Sequence, residues 1–140
     1  MSFGYQVLGF GSGSIPVISI VDILVVAGGG SGGSIYGGGG GAGGLVYKTS
    51  HTLDSGTQYD AVIGAGGTAS GTASGGNVGT DTTWTINGGA VEFTAKGGGA
   101  GGSEGGTAAP VDGGSGAGTW YGSTSGSSAT QGSQSGDSGT

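Results

Sequence analysis

The sequence predicts a mainly β protein in which short antiparallel strands carry packed glycine-rich loops of polyglycine II type, with no long helix. Three observations lead there. Glycine supplies 42 of 140 residues, against a usual share of roughly 7%, and each interior glycine costs a helix about 1 kcal/mol relative to alanine. The glycines are gathered into blocks that begin where β-prone runs end. One pair of β-prone runs is joined by Asn87-Gly88-Gly89, and Asn-Gly between two such runs is the strongest short-range hairpin signal.

The chain divides into three parts. Residues 1–22 are hydrophobic, with aromatics at Phe3, Tyr5 and Phe10. Residues 23–118 alternate strand-like runs with glycine blocks. In this part Ile23-Leu24-Val25-Val26-Ala27 reads as a buried strand running into glycine at Gly28. Residues 28–44 hold 12 glycines and lead into Leu45-Val46-Tyr47. Residues 57–63 alternate in part, with Tyr59, Ala61 and Ile63 on one face, and run into the glycines at 64–67. Residues 82–86 and 91–95 form the two arms of the hairpin, and the block 97–102, Gly-Gly-Gly-Ala-Gly-Gly, follows. Residues 119–140 hold only Trp120 and Tyr121 as large apolar side chains and read as a flexible polar tail, rich in Gly, Ser and Thr, or as the start of a stalk.

The apolar inventory explains why glycine must do more than link. Large apolar residues number 32, and 15 of them precede residue 27. A chain this poor in large side chains cannot build an ordinary core at a size that is already marginal. Blocks 28–44 and 97–102 are flanked directly by strands and contain almost no charge. Threefold extended helices can lie side by side when no Cβ intervenes, and glycine serves collagen's axis for the same steric reason. Neighbouring backbones in such a sheaf exchange the hydrogen bonds that burial would otherwise leave unmade. Ordering so much glycine costs entropy, so the sheaf must be cooperative.

Charge and motifs exclude several functions. A net charge of −6 and two lysines without arginine leave too few cations to displace phosphate counterions, which argues against nucleic-acid binding. The apolar stretch 15–27 is interrupted by Pro16 and Asp22 and falls short of the ~20 residues that span a bilayer, so no membrane insertion is expected. No basic region precedes it, the first lysine being Lys48, and no secretory signal is expected. Gly28-x-Gly30-x-x-Gly33 and Gly64-x-Gly66-x-x-Ala69 imitate a dinucleotide fingerprint. That fingerprint needs a following helix to hold the pyrophosphate, and neither following segment can form one, so no cofactor is expected. His51 is the only histidine, which leaves a catalytic pair or a metal cluster little to draw on. Asp54 and Asp60 flank a turn, and Glu104, Asp112 and Asp137 lack calcium-loop spacing. No catalytic residue and no metal ligand is assigned, and no enzyme is expected.

Two groups of residues invite a binding role. Phe3, Tyr5, Val7, Leu8 and Phe10 are dense apolar positions ahead of the patterned region and suit anchoring to another protein, or a first strand of the fold. Tyr36 stands among glycines, and Trp120-Tyr121 follow the last block. These three could contact a host surface, or fill gaps between glycine helices or subunits.

The middle region resembles the glycine-rich domain of bacteriophage tail fibres and related virion appendages. The residues that carry the resemblance are Ile23 to Gly30, Gly37 to Tyr47, Gly56 to Gly67, Asn87-Gly88-Gly89, Phe93-Thr94-Ala95, Gly97 to Gly102 and Gly113 to Gly116. The opening MSFGYQVLGFGSG is similar to the start of structural proteins of marine phages, where it would tether an appendage to the particle. No adhesin or trimerisation module is recognisable after residue 118, so a receptor-binding tip would be missing or belong to another protein. The resemblance implies a non-enzymatic structural component of the virion, a tail-fibre or fibre-like appendage held by its amino-terminal segment. Its partners would be other virion proteins, copies of itself (for instance a trimer) and a host-surface glycan or receptor. An adhesin, a capsid decoration or head fibre, and an extracellular matrix filament are the alternatives.

Overall fold

A computed structural model describes residues 19–104 and 108–131. Five strands form in the places the β-prone runs occupy: β1 (Ser19–Val26), β2 (Leu45–Leu53), β3 (Tyr59–Val62), β4 (Thr82–Ile86) and β5 (Val91–Ala95). They make two antiparallel sheets, β1-β2 and β3-β4-β5. No helix occurs among the described residues. The hairpin at Asn87-Gly88-Gly89 forms, with Gly88 at φ +70°, a conformation glycine adopts without steric cost.

The sheets form a base with a small side-chain core. Ile23, Val25 and Ala27 from β1 and its continuation meet Val46 of β2 and Phe93 and Ala95 of β5, with Val21 and Trp84 packed around them. The run Ile23 to Ala27 is therefore not buried throughout. It alternates, and Leu24 and Val26 face outward with 60% and 48% exposure, because no described segment covers the outer face of this two-stranded sheet. Opposite Asp22, β2 carries an extra residue. There the Asp22 carboxylate accepts hydrogen bonds from the Ser50 N–H (2.9 Å) and the Tyr47 hydroxyl (3.2 Å). The carboxylate acceptor favours the protonated phenol and raises the Tyr47 pKa.

Beyond the base the chain becomes a lattice of glycine rods, and 97–102 is its axis. All six of these residues are buried. Their hydrogen bonds repeat every third residue, the repeat of a threefold extended helix. The carbonyls of Lys96, Gly99 and Gly102 accept from the N–H groups of Gly44, Gly41 and Gly38 at 2.7, 2.8 and 3.0 Å. Those of Gly98 and Gly101 accept from Gly79 and Gly76, and those of Gly97 and Ala100 from Gly114 and Val111. The N–H groups of Gly98 and Gly101 donate to Gly28 and Ser31, and those of Gly99 and Gly102 to Ser115 and Gly118. Five neighbouring segments thus surround one rod, and every carbonyl from 96 to 102 has a donor. The sheaf expected for 28–44 and 97–102 is what satisfies this buried backbone.

The close approach admits no side chain at the contacts. A Cβ on Gly30 would collide with the Gly99 carbonyl, and one on Gly101 with that of Gly38. By contrast, a Cβ on Gly39 would meet nothing within 4 Å.

The polar stretch 122–131 lines the rim of the same lattice. Ser127 donates its N–H to the Ala117 carbonyl, and its Oγ accepts from the Ala117 N–H (2.7 Å) and donates to the Val111 carbonyl (2.9 Å). A serine hydroxyl here supplies bonds that backbone supplies elsewhere. Gln131, only 3% exposed, closes the seam between lattice and base: its Oε1 accepts from the Lys96 N–H and its Nε2 donates to the Thr94 carbonyl. Residues 132–140 lie outside the described residues.

Candidate contact tip

The path of the chain gives the molecule two different ends. β1 runs into rod 28–33, the chain turns at 34–37, and rod 38–44 returns it to β2. The segments following β3 and β5 also run outward from the sheets, and 115–118 run parallel to 97–102 before the turn at 119–122. Their far ends are stitched together. Ser34 donates its N–H to the Ser74 carbonyl (3.0 Å) and accepts at Oγ from the Ser74 N–H (2.8 Å). Ser103 Oγ donates to the Ser34 carbonyl (2.6 Å), and the Tyr121 N–H to the Tyr36 carbonyl (3.1 Å).

This end brings Tyr36, Trp120 and Tyr121 together from positions some 85 residues apart in the chain. The Tyr36 and Tyr121 rings lie 6.3 Å apart at 51°, and the two residues are 75% and 79% exposed. Trp120 lies against the axial rod, where a Cβ on Gly102 would come within 2.8 Å of its Cε3. Its ring therefore uses the room that glycine leaves, and it is only partly exposed. Beside it Thr119 Oγ1 is buried without a hydrogen-bond partner.

The backbone at this end is strained. Ile35, Tyr36 and Ala73 have φ of +41°, +49° and +61°, a region that costs a non-glycine residue about 1–2 kcal/mol. A β-branched residue such as Ile35 is a marked outlier there. Such strain persists where the surroundings impose it and gathers at ligand-contact sites. The sequence singled out Tyr36, Trp120 and Tyr121 but gave no sign that Ile35, or the serines that hold the loops, would join them.

The remaining candidates are dispersed. Phe3, Tyr5, Val7, Leu8 and Phe10 lie outside the described residues. His51 sits at the base, its ring edge-on to Phe93 at 5.2 Å and its Nε2 3.6 Å from Glu92 Oε2. Asp60 accepts from Gln58 Nε2 (3.0 Å), and Asp112 caps the Ser128 N–H (2.7 Å). The two imitations of a dinucleotide fingerprint run into lattice segments, with no helix after either. No group of three His, Cys, Asp or Glu that could hold a metal occurs among the described residues.

One carboxylate belongs to the junction between base and lattice. Asp81 accepts from Lys96 Nζ (2.8 Å) and from the Gly97 N–H (2.9 Å). Burial pushes its carboxyl up, but these two hydrogen bonds and the lysine charge outweigh burial and hold it below the ordinary carboxylate range.

A glycine lattice over a β base agrees with comparison to known families, in which a glycine-rich domain model matches residues 11–140. The chain belongs to this glycine-rich domain family. No curated protein and no solved structure matches it.

Proposed function

We propose that this glycine-rich domain protein is a non-enzymatic structural component of a bacteriophage virion, a short fibre-like appendage anchored by its amino-terminal segment. The observation that carries the reading is the polarity of the molecule. Residues preceding Ser19 join at the foot of β1, whereas Tyr36, Trp120 and Tyr121 stand at the far end of the rods. Eight strand residues at about 3.3 Å each and six rod residues at about 3.1 Å each separate these ends by roughly 45 Å. A stem of packed backbone hydrogen bonds, with few side chains for a protease to recognise or for pH to titrate, suits a mechanical spacer. Its partners in this reading are other virion proteins at the base, copies of itself, and a glycan or receptor of the host surface at the tip.

The aromatic tip also favours an adhesin, in which this protein itself makes the host contact. Both readings are tested on purified particles. Quantitative mass spectrometry and antibody labelling should place the protein on the virion in a symmetry-related low copy number. Hundreds of copies over the head would mean capsid decoration, and absence from particles would overturn the proposal. Loss of binding to host-surface polysaccharide on Tyr36→Ala, with the fold retained, would select the adhesin over the passive fibre.

A further inference from the structure

The turn that joins β4 to β5 carries a reactive pair of residues. Where asparagine precedes glycine, the glycine amide nitrogen can attack the asparagine Cγ, because glycine has no Cβ to shield it. The chain has two asparagines, and only Asn87 precedes a glycine. Asn87 and Gly88 are exposed, and a Cβ on Gly88 would meet nothing within 4 Å. Among the described residues, the Gly88 N–H and the Asn87 side-chain amide have no hydrogen-bond partner. The turn is held by the Gly89 N–H on the Ile86 carbonyl (2.7 Å) and the Asn87 N–H on the Gln58 carbonyl (2.9 Å), and neither bond uses the reacting atoms. Elsewhere the same chemistry is blocked. Asp112-Gly113 would close the same ring with loss of water, but Gly113 is buried and its N–H donates to the Ser128 carbonyl (3.4 Å), while the Asp112 carboxylate accepts from the Ser128 N–H (2.7 Å). Asn77 is followed by Val78, branched at Cβ, and its Nδ2 donates to the Thr68 carbonyl (3.0 Å).

We infer that Asn87 is a modification site at which the folded protein deamidates itself, with water as the only co-reactant. The Gly88 amide gives its proton to solvent base, and its nitrogen bonds to Asn87 Cγ. The Cγ–Nδ2 bond breaks, and the side-chain nitrogen takes a proton from solvent and leaves as ammonia. The five-membered imide so formed takes up one water. Addition at Cγ gives aspartate in the ordinary backbone. Addition at the backbone carbonyl gives isoaspartate, whose chain runs through the former side chain and is one methylene longer. Either product adds a carboxylate to a chain already at −6. The longer product also changes the span that the bond from Gly89 to Ile86 closes. That turn brings β4 onto β5 and pairs Trp84 with Phe93 of the core, so the modification loosens the base at this hairpin. The inference does not depend on the virion reading and holds for the isolated protein.

The folded full chain, held at mildly alkaline pH and then read by peptide mass spectrometry, should gain a carboxylic acid at residue 87, as aspartate and isoaspartate together, with release of ammonia. An isoaspartate methyltransferase should label that peptide before any other. Because the nucleophile is the deprotonated amide, the yield should rise with pH. In denaturant, isoaspartate should form at Asp112 as well, and folding should abolish it there while leaving it at Asn87. Asn87→Gln should lose the label at this position, since glutamine has to close a larger ring. The isoaspartate form should melt at a lower temperature than Asn87→Asp, which has the same charge without the extra methylene. An Asn87 that stays intact in the folded protein and reacts only in denaturant overturns the inference, as does a label that survives Asn87→Gln or reaches Asp112 first. Equal melting of the isoaspartate form and Asn87→Asp overturns the link to β4–β5 pairing.

Discussion

The lattice and the base use the same currency, backbone hydrogen bonds, but fix them by opposite means. In the base, side chains choose the partners: Phe93, Val46 and the inner face of β1 bury apolar surface, and the strands pair around them. In the lattice, the absence of side chains chooses. Rods 28–33, 38–44 and 97–102 approach until carbonyl meets N–H, and the hydrogen-bond repeat of three follows from the threefold helix. A core can therefore be specified by what a sequence omits. Removing atoms should damage the base, and adding them should damage the lattice.

The largest effect is expected from adding a single methyl to the axis. Gly101→Ala forces a Cβ into the Gly38 carbonyl and should cost about 3 kcal/mol or more, measured by denaturant unfolding. Gly39→Ala, with open space around its Cβ, should stay within about 0.5 kcal/mol of wild type. Equal costs at the two positions would mean that glycine acts here through entropy alone. In the base the reverse change is the damaging one, and Phe93→Ala should cost about 3 kcal/mol by opening a cavity.

The seam between the two regions is next. Gln131→Ala leaves the Lys96 N–H without the amide oxygen it donates to, a loss of about 1–3 kcal/mol, readable as a lower Tm. Asp81 gives the seam a pH dependence. Its folded pKa is depressed, so its contribution is complete above the ordinary carboxylate pKa of about 4 and is lost as pH falls through the folded value. Tm should drop more steeply below about pH 4 in wild type than in Asp81→Asn, and parallel pH profiles would remove Asp81 from this role. The smallest effect lies at the tip and has the opposite sign. Ile35→Gly relieves a φ of +41° and should raise stability by about 0.5 kcal/mol, since the relief of strain exceeds glycine's entropy cost.

Much of this architecture could be read in the residues, because strands and rods are local. The run into Gly28, the hairpin at Asn87-Gly88 and the block 97–102 each announce themselves over a few positions. Their arrangement is not local. Nothing in 97–102 distinguishes the axis from a peripheral rod, since its rank depends on five partners drawn from 28 to 118. The stretch 122–131 has the composition of a linker, and only Ser127 and Gln131, placed against Ala117 and Lys96, make it part of the lattice. The outward-facing half of β1 was hidden for a similar reason: Ile23 to Ala27 are all apolar, and alternation shows only once the sheet has a covered and an open face. Tyr36 and Tyr121 were each conspicuous against glycine, but their meeting follows from the lengths of the rods that carry them.

The central claim is that the glycine rods are a packed, hydrogen-bonded core, and amide hydrogen exchange of the full chain tests it most directly. The amides of Gly98, Gly99, Gly101 and Gly102, with those of Gly30, Gly38 and Gly41, should exchange as slowly as the amides of β1 and β5, through global unfolding alone. Exchange of these glycines at random-coil rates while the strands stay protected would contradict it.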